Sequence, residues 1–143
     1  MPFKLESPSK IAYNLDFILK INGNFPFPYT LKSLDMDPEN INILNGMAED
    51  PEEECANYEE KIASYGGIDL FMGGIGVDGH LAFNEPFTSL TSRTGLRDLT
   101  TDTRIVNSRF FGNDPEKVPS QALSVGIGTV TDSKEVLVLI SGH

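Results

Sequence analysis

A helix pattern, two glycines and a short apolar run follow one another between residues 50 and 72. Asp50 is a favourable N-cap, Pro51 suits the first helical position, and the glutamates that follow complement the helix dipole. One face of this helix is apolar and consists of Cys55, Tyr58, Ile62 and Tyr65. Gly66 and Gly67 are expected to end the helix. The run Ile68–Met72 is then typical of a buried strand, so the segment predicts a helix-to-strand unit of an α/β protein.

The rest of the chain extends this alternation of helices and strands. Two further strand patterns occur, at Asn40–Leu44 and, as a buried run, at Glu135–Ile140. Three further helix patterns occur, at Lys10–Ile21, Thr101–Phe111 and Pro119–Val130. The helix at 101–111 is expected to direct Ile105, Val106 and Phe110 inward. The alternation predicts an α/β fold with a parallel sheet.

Composition and charge narrow the classes of function. The net charge of −10, from 21 acidic and 11 basic residues, argues against binding of nucleic acid or of an anionic membrane surface. A small anionic ligand remains compatible, because one well-placed arginine can hold a phosphate. The single cysteine, Cys55, excludes an internal disulfide, and no apolar run is long enough to span a membrane. These features predict a cytoplasmic protein.

A glycine-rich segment with ionisable side chains follows the predicted strand Ile68–Met72. The segment runs from Gly73 to Pro86 and reads GGIGVDGHLAFNEP. Open α/β sheets bind ligands outside the carboxyl ends of their strands, and glycines let a ligand approach the backbone closely. Asp78, His80 and Glu85 bring an imidazole between two carboxylates, which suits proton transfer near neutral pH. The segment is therefore the candidate active site.

Other uses of the same residues are weaker. Gly74, Gly76 and Gly79 imitate part of a dinucleotide-binding fingerprint, but the acidic residue that should follow a second strand is missing. Aspartate, histidine and glutamate also bind metals, but their spacing here is not a standard ligand spacing. No metal and no cofactor are therefore predicted. The acidic run from Glu49 to Glu60 is interpreted as a solvated helix face.

The segment GGIGVDGHLAFNEP resembles the active-site segment of the glucosamine-6-phosphate deaminases. Further stretches resemble the same family in the same order: DPENINILNG, ECANYEEKI, SRFFGND, VPSQALSVGIGTV and EVLVLISG. The resemblance covers about residues 31–143. It implies a Rossmann-like α/β fold, with an open, mainly parallel sheet and flanking helices. It also implies conversion of glucosamine 6-phosphate and water to fructose 6-phosphate and ammonia, without a cofactor.

The resemblance also assigns roles to residues of this sequence. It implies that His80 carries the proton that opens the pyranose ring and that Asp78 and Glu85 orient it and share that proton. Arg109 matches the family's arginine for the substrate phosphate. The turn containing Gly74 and Gly76 is expected to contact the substrate. A small sugar phosphate is thus the expected partner, and a homo-oligomer is left open.

The sequence also departs from the family pattern. The family's Gly-Leu-Pro-Thr-Gly-Ser-type phosphate loop, its aspartate base for the C2 proton and a phosphate-binding lysine have no counterpart among the 143 residues. Residues 1–30 match nothing in the family and are interpreted as an atypical N-terminal segment before a partial deaminase domain at 31–143. A sheet incomplete at both ends, poor stability, weak substrate binding and no deamination by this chain are expected.

Two alternative functions remain. A non-catalytic remnant, or a binding partner of a full-length paralogue, would also explain the missing segments. A hydrolase similar to the 6-phosphogluconolactonases would share the turn containing Asp78 and His80. The residues that follow the turn, Leu81–Pro86, favour the deaminase.

Overall fold

The structure is a computed structural model that describes residues 42–76 and 78–140. The predicted helix Lys10–Ile21 and the proposed N-terminal segment 1–30 lie outside the described residues. The predicted strand Asn40–Leu44 is described only from residue 42, and residues 42–44 do not form a strand. Leu44 is nevertheless buried, and it packs with Cys55 and Leu123. Its apolar side chain therefore reports burial in a loop and not a strand.

The first described helix, α1, spans Pro51–Ser64, as its sequence predicts. The Asp50 side chain caps it by accepting the backbone N–H groups of Glu52 and Glu53, both at 3.0 Å. Gly66 and Gly67 follow its end with φ of 83° and 90°, a backbone region that favours glycine. Cys55 is a buried core residue, and burial raises the pKa of its thiol.

Strand β1 spans Leu70–Gly74, two residues later than its apolar run predicts. It pairs in parallel with the last described strand, Glu135–Leu139, in the register Leu70 to Glu135 and Gly74 to Leu139. A parallel pair requires a crossover connection, and here the intervening chain supplies helices and a second strand pair. The predicted α/β class with parallel strands and flanking helices is thereby confirmed.

A second, antiparallel pair joins β2, Gly95–Asp98, to β3, Gln121–Ser124. The predicted helix Pro119–Val130 is therefore wrong over its first half. Its apolar residues fit a strand as well as a helix, and pairing with β2 decides between the two. The backbone is extended at Gly126, where a Cβ atom would overlap the carbonyl of Ser92. A short helix begins only after this close approach.

Helix α2 spans Thr101–Asn107 and continues as a 3₁₀ turn, Ser108–Phe110. The prediction that Ile105, Val106 and Phe110 face inward is wrong, because all three side chains are exposed. The buried residues of α2 are Thr103 and Asn107, one turn apart. The Asn107 side-chain amide donates to the Thr103 carbonyl at 2.8 Å. Hydrogen-bonding side chains, and not the apolar ones, thus turn towards the interior.

The last elements in chain order are α3, Ile127–Thr131, and β4, Glu135–Leu139. The prediction of a buried strand at Glu135–Ile140 is correct for the strand and wrong for its burial. Val136, Leu137 and Leu139 are 45%, 45% and 58% exposed. An apolar run indicates that a strand packs against another element. Among the described residues, no element covers these three side chains.

The main core lies between α1, β1 and α3. Its buried members are Ile68, Phe71, Ala82, Val125 and Val130. Tyr58 and Ile62 of α1 pack against this cluster, as the apolar face of the helix predicts, whereas Tyr65 is exposed. Ala82 follows the glycine-rich turn, so the core anchors the segment that carries the candidate site. None of the described helices has the length and apolar character needed to cross a membrane.

Candidate active site

The candidate site begins directly after β1, in a tight glycine turn. The backbone N–H of Gly76 donates to the carbonyl of His80 at 2.8 Å, and the N–H of Gly79 donates to the carbonyl of Gly76 at 3.0 Å. Gly79 has a φ of 88°, which explains why glycine stands between Asp78 and His80. The turn thereby reverses the chain and presents both side chains at the carboxyl end of β1.

Asp78 and His80 form the closest contact of the site. The Oδ1 atom of Asp78 lies 2.5 Å from Nδ1 of His80 and also accepts the His80 backbone N–H at 3.2 Å. An ionised carboxylate only accepts hydrogen bonds, so this contact assigns the proton of a neutral imidazole to Nδ1. The other ring nitrogen, Nε2, is then the atom that can take a proton from a ligand.

Glu85 completes the cluster that the sequence predicts. Its Oε2 atom lies 3.6 Å from His80 Nδ1, and its side chain is 13% exposed, against 15% for His80 and 28% for Asp78. The Oε1 atom accepts hydrogen bonds from Thr100 and Thr103 at the start of α2. The structure therefore brings Asp78, His80 and Glu85 together, with Glu85 the most enclosed.

The electrostatics of the cluster keep Asp78 charged. Burial raises the pKa of Asp78, but hydrogen bonds with the Glu85 carboxyl and the His80 backbone and the charge of His80 together lower that pKa below its ordinary value. An ionised Asp78 can stabilise the imidazolium that forms when Nε2 of His80 takes a proton.

Gly76 and Gly74 contribute in different ways. A Cβ atom on Gly76 would overlap the imidazole of His80, so this glycine provides the space in which the ring lies. Gly74 lies within β1 and pairs with Leu139. The proposed substrate contacts of these two glycines stay predictions.

Arg109 lies in the 3₁₀ turn after α2, with an exposed side chain. Its guanidinium carbon lies 4.7 Å from the ring centroid of Phe110. Within residues 42–76 and 78–140, no hydrogen bond or ion pair joins Arg109 to the Asp78 cluster. The role of Arg109 in phosphate binding stays a prediction.

Sequence reasoning missed the residues that support the cluster. Asn84 is 2% exposed, and its Nδ2 atom donates to the carbonyls of Leu81 and Val125 at 2.9 and 2.8 Å. Its Oδ1 atom accepts from Nε of Arg97 at 3.0 Å. Both polar atoms of the Asn84 side chain have hydrogen-bond partners. Through these bonds Asn84 fixes the turn that separates His80 from Glu85. The only signal in the sequence was a polar residue directly after the apolar stretch Leu81–Phe83.

The same cluster is the arrangement among the described residues that could hold a metal ion. One ligand atom from each of Asp78, His80 and Glu85 lies within 4.8 Å of the others. Oxygen and imidazole ligands of this kind suit several divalent metals. The close Asp78–His80 contact occupies Nδ1 with a hydrogen bond, and the metal-free acid–base role of the cluster stays a prediction.

Comparisons with known proteins agree with the motif. No protein-family model matches the chain. The glucosamine-6-phosphate deaminase of Phocaeicola vulgatus is 52% identical over 147 residues, covering 98% of this chain and 56% of that relative. That of Bacteroides thetaiotaomicron is 55% identical over 140 residues, covering 93% and 52%. That of Aeromonas salmonicida is 63% identical over 110 residues, covering 77% and 41%.

A solved structure extends the comparison to the fold. It is a monomeric glucosamine-6-phosphate deaminase described as a missing link of the NagB superfamily. The TM-score is 0.75 at 44% identity, and the match covers 78% of this chain and 46% of that one. The resemblance and the Rossmann-like fold predicted from the sequence are confirmed. The chain spans about half the length of the curated relatives that it matches.

Proposed function

Because the chain is homologous to glucosamine-6-phosphate deaminases over most of its length, we propose that it contributes the ring-opening cluster of such an enzyme. The proposed reaction converts glucosamine 6-phosphate and water to fructose 6-phosphate and ammonia. The observation that carries the proposal is the 2.5 Å contact between Asp78 Oδ1 and His80 Nδ1, beside the enclosed Glu85 carboxyl. This contact leaves Nε2 of His80 as a base for the sugar.

Ring opening is the step that these residues can perform. The anomeric O1 hydroxyl loses its proton, the C1–O5 bond breaks, C1 becomes an aldehyde carbon, and O5 gains a proton. His80 can take the O1 proton at Nε2 and return a proton to O5, because Asp78 stabilises the imidazolium that forms between the two transfers. The net charge of the sugar does not change. General acid–base catalysis of this kind contributes typically ~10²–10⁴-fold.

The later steps need groups beyond this cluster. Isomerisation moves a proton from C2 to C1, and it requires a base that faces the carbon skeleton. Asp78 is engaged with His80, and Glu85 is engaged with Thr100 and Thr103. We therefore assign the C2 proton to none of these residues. Arg109 is proposed to bind the substrate phosphate through charge-assisted hydrogen bonds.

Two assays test the proposal at different depths. The first follows release of ammonia and fructose 6-phosphate from glucosamine 6-phosphate. The second follows exchange between the α and β anomers of glucosamine 6-phosphate by NMR magnetisation transfer, which reports ring opening alone. We expect the chain to accelerate anomer exchange and His80→Gln to abolish the acceleration. An exchange rate that equals the rate in buffer would contradict the proposal, whichever result the ammonia assay returns.

We also propose a cytoplasmic location. Whether the chain is a monomer or a homo-oligomer is a question for experiment. The single cysteine is buried and reduced, which suits a reducing compartment. Exposed apolar side chains on β4 are compatible with a homo-oligomer, whereas the related solved structure is of a monomeric deaminase. Sedimentation velocity at two protein concentrations distinguishes these states.

A further inference from the structure

The two carboxylate oxygens of Glu85 have unequal surroundings. Three donors lie within hydrogen-bond distance of Oε1: the Thr100 N–H at 3.2 Å, the Thr100 hydroxyl at 3.1 Å and the Thr103 hydroxyl at 2.7 Å. Oε2 is buried, and none of the residues that the structure describes donates a hydrogen bond to it. Its near neighbour is Nδ1 of His80, at 3.6 Å. The donors at Oε1 thus determine which oxygen faces the imidazole.

Thr103 provides the shortest of these bonds. Its side chain lies on the buried face of α2, and the residue is 3% exposed. The Thr100 hydroxyl lies 3.0 Å from the Thr103 hydroxyl and also accepts the Thr103 backbone N–H at 3.2 Å. Each hydroxyl has one proton to donate. If Thr100 donates to Thr103, the Thr103 proton remains directed at Glu85.

The arrangement also explains why the Oε2 atom of Glu85 is buried without a hydrogen bond from a described residue. A buried carboxylate oxygen without a partner is unfavourable, because it has lost its hydration. Rotation of the carboxylate about its last side-chain torsion would break the bonds at Oε1. The Thr100 N–H and the Thr103 hydroxyl, both donating to Oε1, therefore hold the second, buried oxygen against His80.

We propose that Thr103, supported by Thr100, is a positioning residue that keeps Glu85 Oε2 directed at His80 for the ring-opening proton transfer. This inference rests on the proposed function for its kinetic consequence. The geometric part of the inference is independent of the proposed function, because the orientation of Glu85 around His80 can be measured without turnover. Thr103 itself has no proposed contact with the substrate.

The first test compares threonine variants in the anomer-exchange assay on the full chain. Thr103→Val removes the hydroxyl and keeps the shape, so we expect exchange catalysis to fall by about tenfold to a hundredfold, the effect of one hydrogen bond to a charged group. The apparent KM should change by less than about twofold, because a positioning residue does not bind substrate. Thr103→Ser restores the hydroxyl and should restore the rate.

Thr129→Val is the matched control. Thr129 is 2% exposed, and its hydroxyl donates to a carboxylate oxygen of Glu59 at 2.6 Å, away from the site. The Thr129→Val variant therefore loses the same kind of bond as Thr103→Val. It should keep the parental exchange rate at a temperature where both variants are folded. Equal losses in Thr103→Val and Thr129→Val would overturn the inference, because they would indicate a general structural effect.

The second test reads His80 directly. In the parent chain labelled with ¹⁵N-histidine, the Nδ1 and Nε2 signals of His80 are assigned by their loss in His80→Gln. We expect both to move in Thr103→Val and to stay in place in Thr129→Val. If the parent shows no catalysis but these signals respond, the positioning holds and the proposed function fails. Parental signals in Thr103→Val would overturn the positioning. Thr103→Ala replaces Thr103→Val in both tests if the valine variant does not fold.

Discussion

The carboxylate of Asp78 contacts the imidazole of His80 at Nδ1 and accepts the backbone N–H of the same histidine. One aspartate therefore sets both the ring tautomer and the conformation of the turn that carries the ring. Because Asp78 is only two residues away, this relationship is local. It depends on Gly79 between them, whose φ of 88° is one that other residues rarely adopt.

Replacing Asp78 by asparagine should separate charge from shape. Asp78→Asn keeps the size of the side chain but removes the negative charge that stabilises an imidazolium. We expect the rate of anomer exchange to fall by ~10²-fold or more, with little change in the thermal midpoint, because the side chain is partly exposed. The two measurements are the exchange rate and the unfolding curve. A rate within a few-fold of the parent would contradict the assigned role.

Adding one methyl group to Gly76 should displace the catalytic ring. The new Cβ of Gly76→Ala would occupy the space of the His80 imidazole, which must rotate away from Asp78. We expect the His80 ¹⁵N signals to move and exchange catalysis to be lost, while far-UV circular dichroism stays unchanged. Gly74→Ala is the control for the NMR measurement. A Cβ there would meet the Leu139 carbonyl at an ordinary 3.7 Å, so the His80 signals should remain.

Glu59 should make stability depend on pH. Burial raises the pKa of Glu59, but hydrogen bonds from Thr129, Thr94 and Arg93 lower it more, so its pKa in the folded chain lies below the ordinary 4.5. A lowered folded pKa means that the stabilisation is complete above the unfolded pKa and is lost as pH falls through the folded pKa. Urea unfolding between pH 7 and pH 3 should show this loss.

Two glutamate variants check that assignment. Glu59→Gln should lower the free energy of unfolding at pH 7 by about 1–3 kcal/mol, because it weakens a carboxylate site with several charge-assisted hydrogen bonds. It should also flatten the acid limb of the stability curve. Glu60→Gln changes the neighbouring residue of α1, whose side chain is exposed, and should leave both unchanged. An acid limb that survives in Glu59→Gln would assign the pH dependence to other carboxylates.

Arg109 should contribute affinity for the phosphate. Arg109→Ala is expected to weaken binding of glucosamine 6-phosphate by about tenfold to a hundredfold, which corresponds to one or more charge-assisted hydrogen bonds. Titration calorimetry measures the change. Lys117→Ala removes an equal charge from an exposed side chain that pairs with Asp114 at 3.3 Å, and it should bind like the parent. Unchanged affinity in Arg109→Ala would remove this residue from the site.

Removal of divalent metals should have no effect. Asp78, His80 and Glu85 are close enough to bind an ion, but we predict that the cluster acts through protons. Exchange catalysis after dialysis against EDTA should therefore equal that of the untreated chain. Loss of catalysis that Zn²⁺ or Mg²⁺ restores would instead assign the cluster to a metal.

Several features of the fold were predictable because their causes are local. The cap of α1 joins Asp50 to residues two and three positions later, and Gly66 and Gly67 end the helix through their own backbone conformation. Strand β1 follows from its apolar run, although its observed bounds lie two residues later. The segment from Gly73 to Pro86 likewise carries its chemistry in consecutive residues.

The errors have a common origin in long-range pairing. β3 contains the helix formers Gln121, Ala122 and Leu123, and pairing with the strand β2 overrides that local preference. Ile105 and Val106 of α2 are apolar but exposed. Thr103 of the same helix is polar but buried, and its hydroxyl donates a hydrogen bond to Glu85. Polar burial of this kind contradicts a prediction based on hydrophobicity.

The sequence alone determined the helix α1, the glycine turn, the Asp78–His80–Glu85 cluster and the family resemblance, since each depends on residue identity over a short stretch. The tertiary structure decided which oxygen of Glu85 faces His80 and which threonines hold the other. Thr103 lies 18 residues from Glu85, and Thr129 lies 70 residues from Glu59. Such hydrogen bonds form only after separate elements pack together, so their geometry is a property of the folded chain and has no local signal in the sequence.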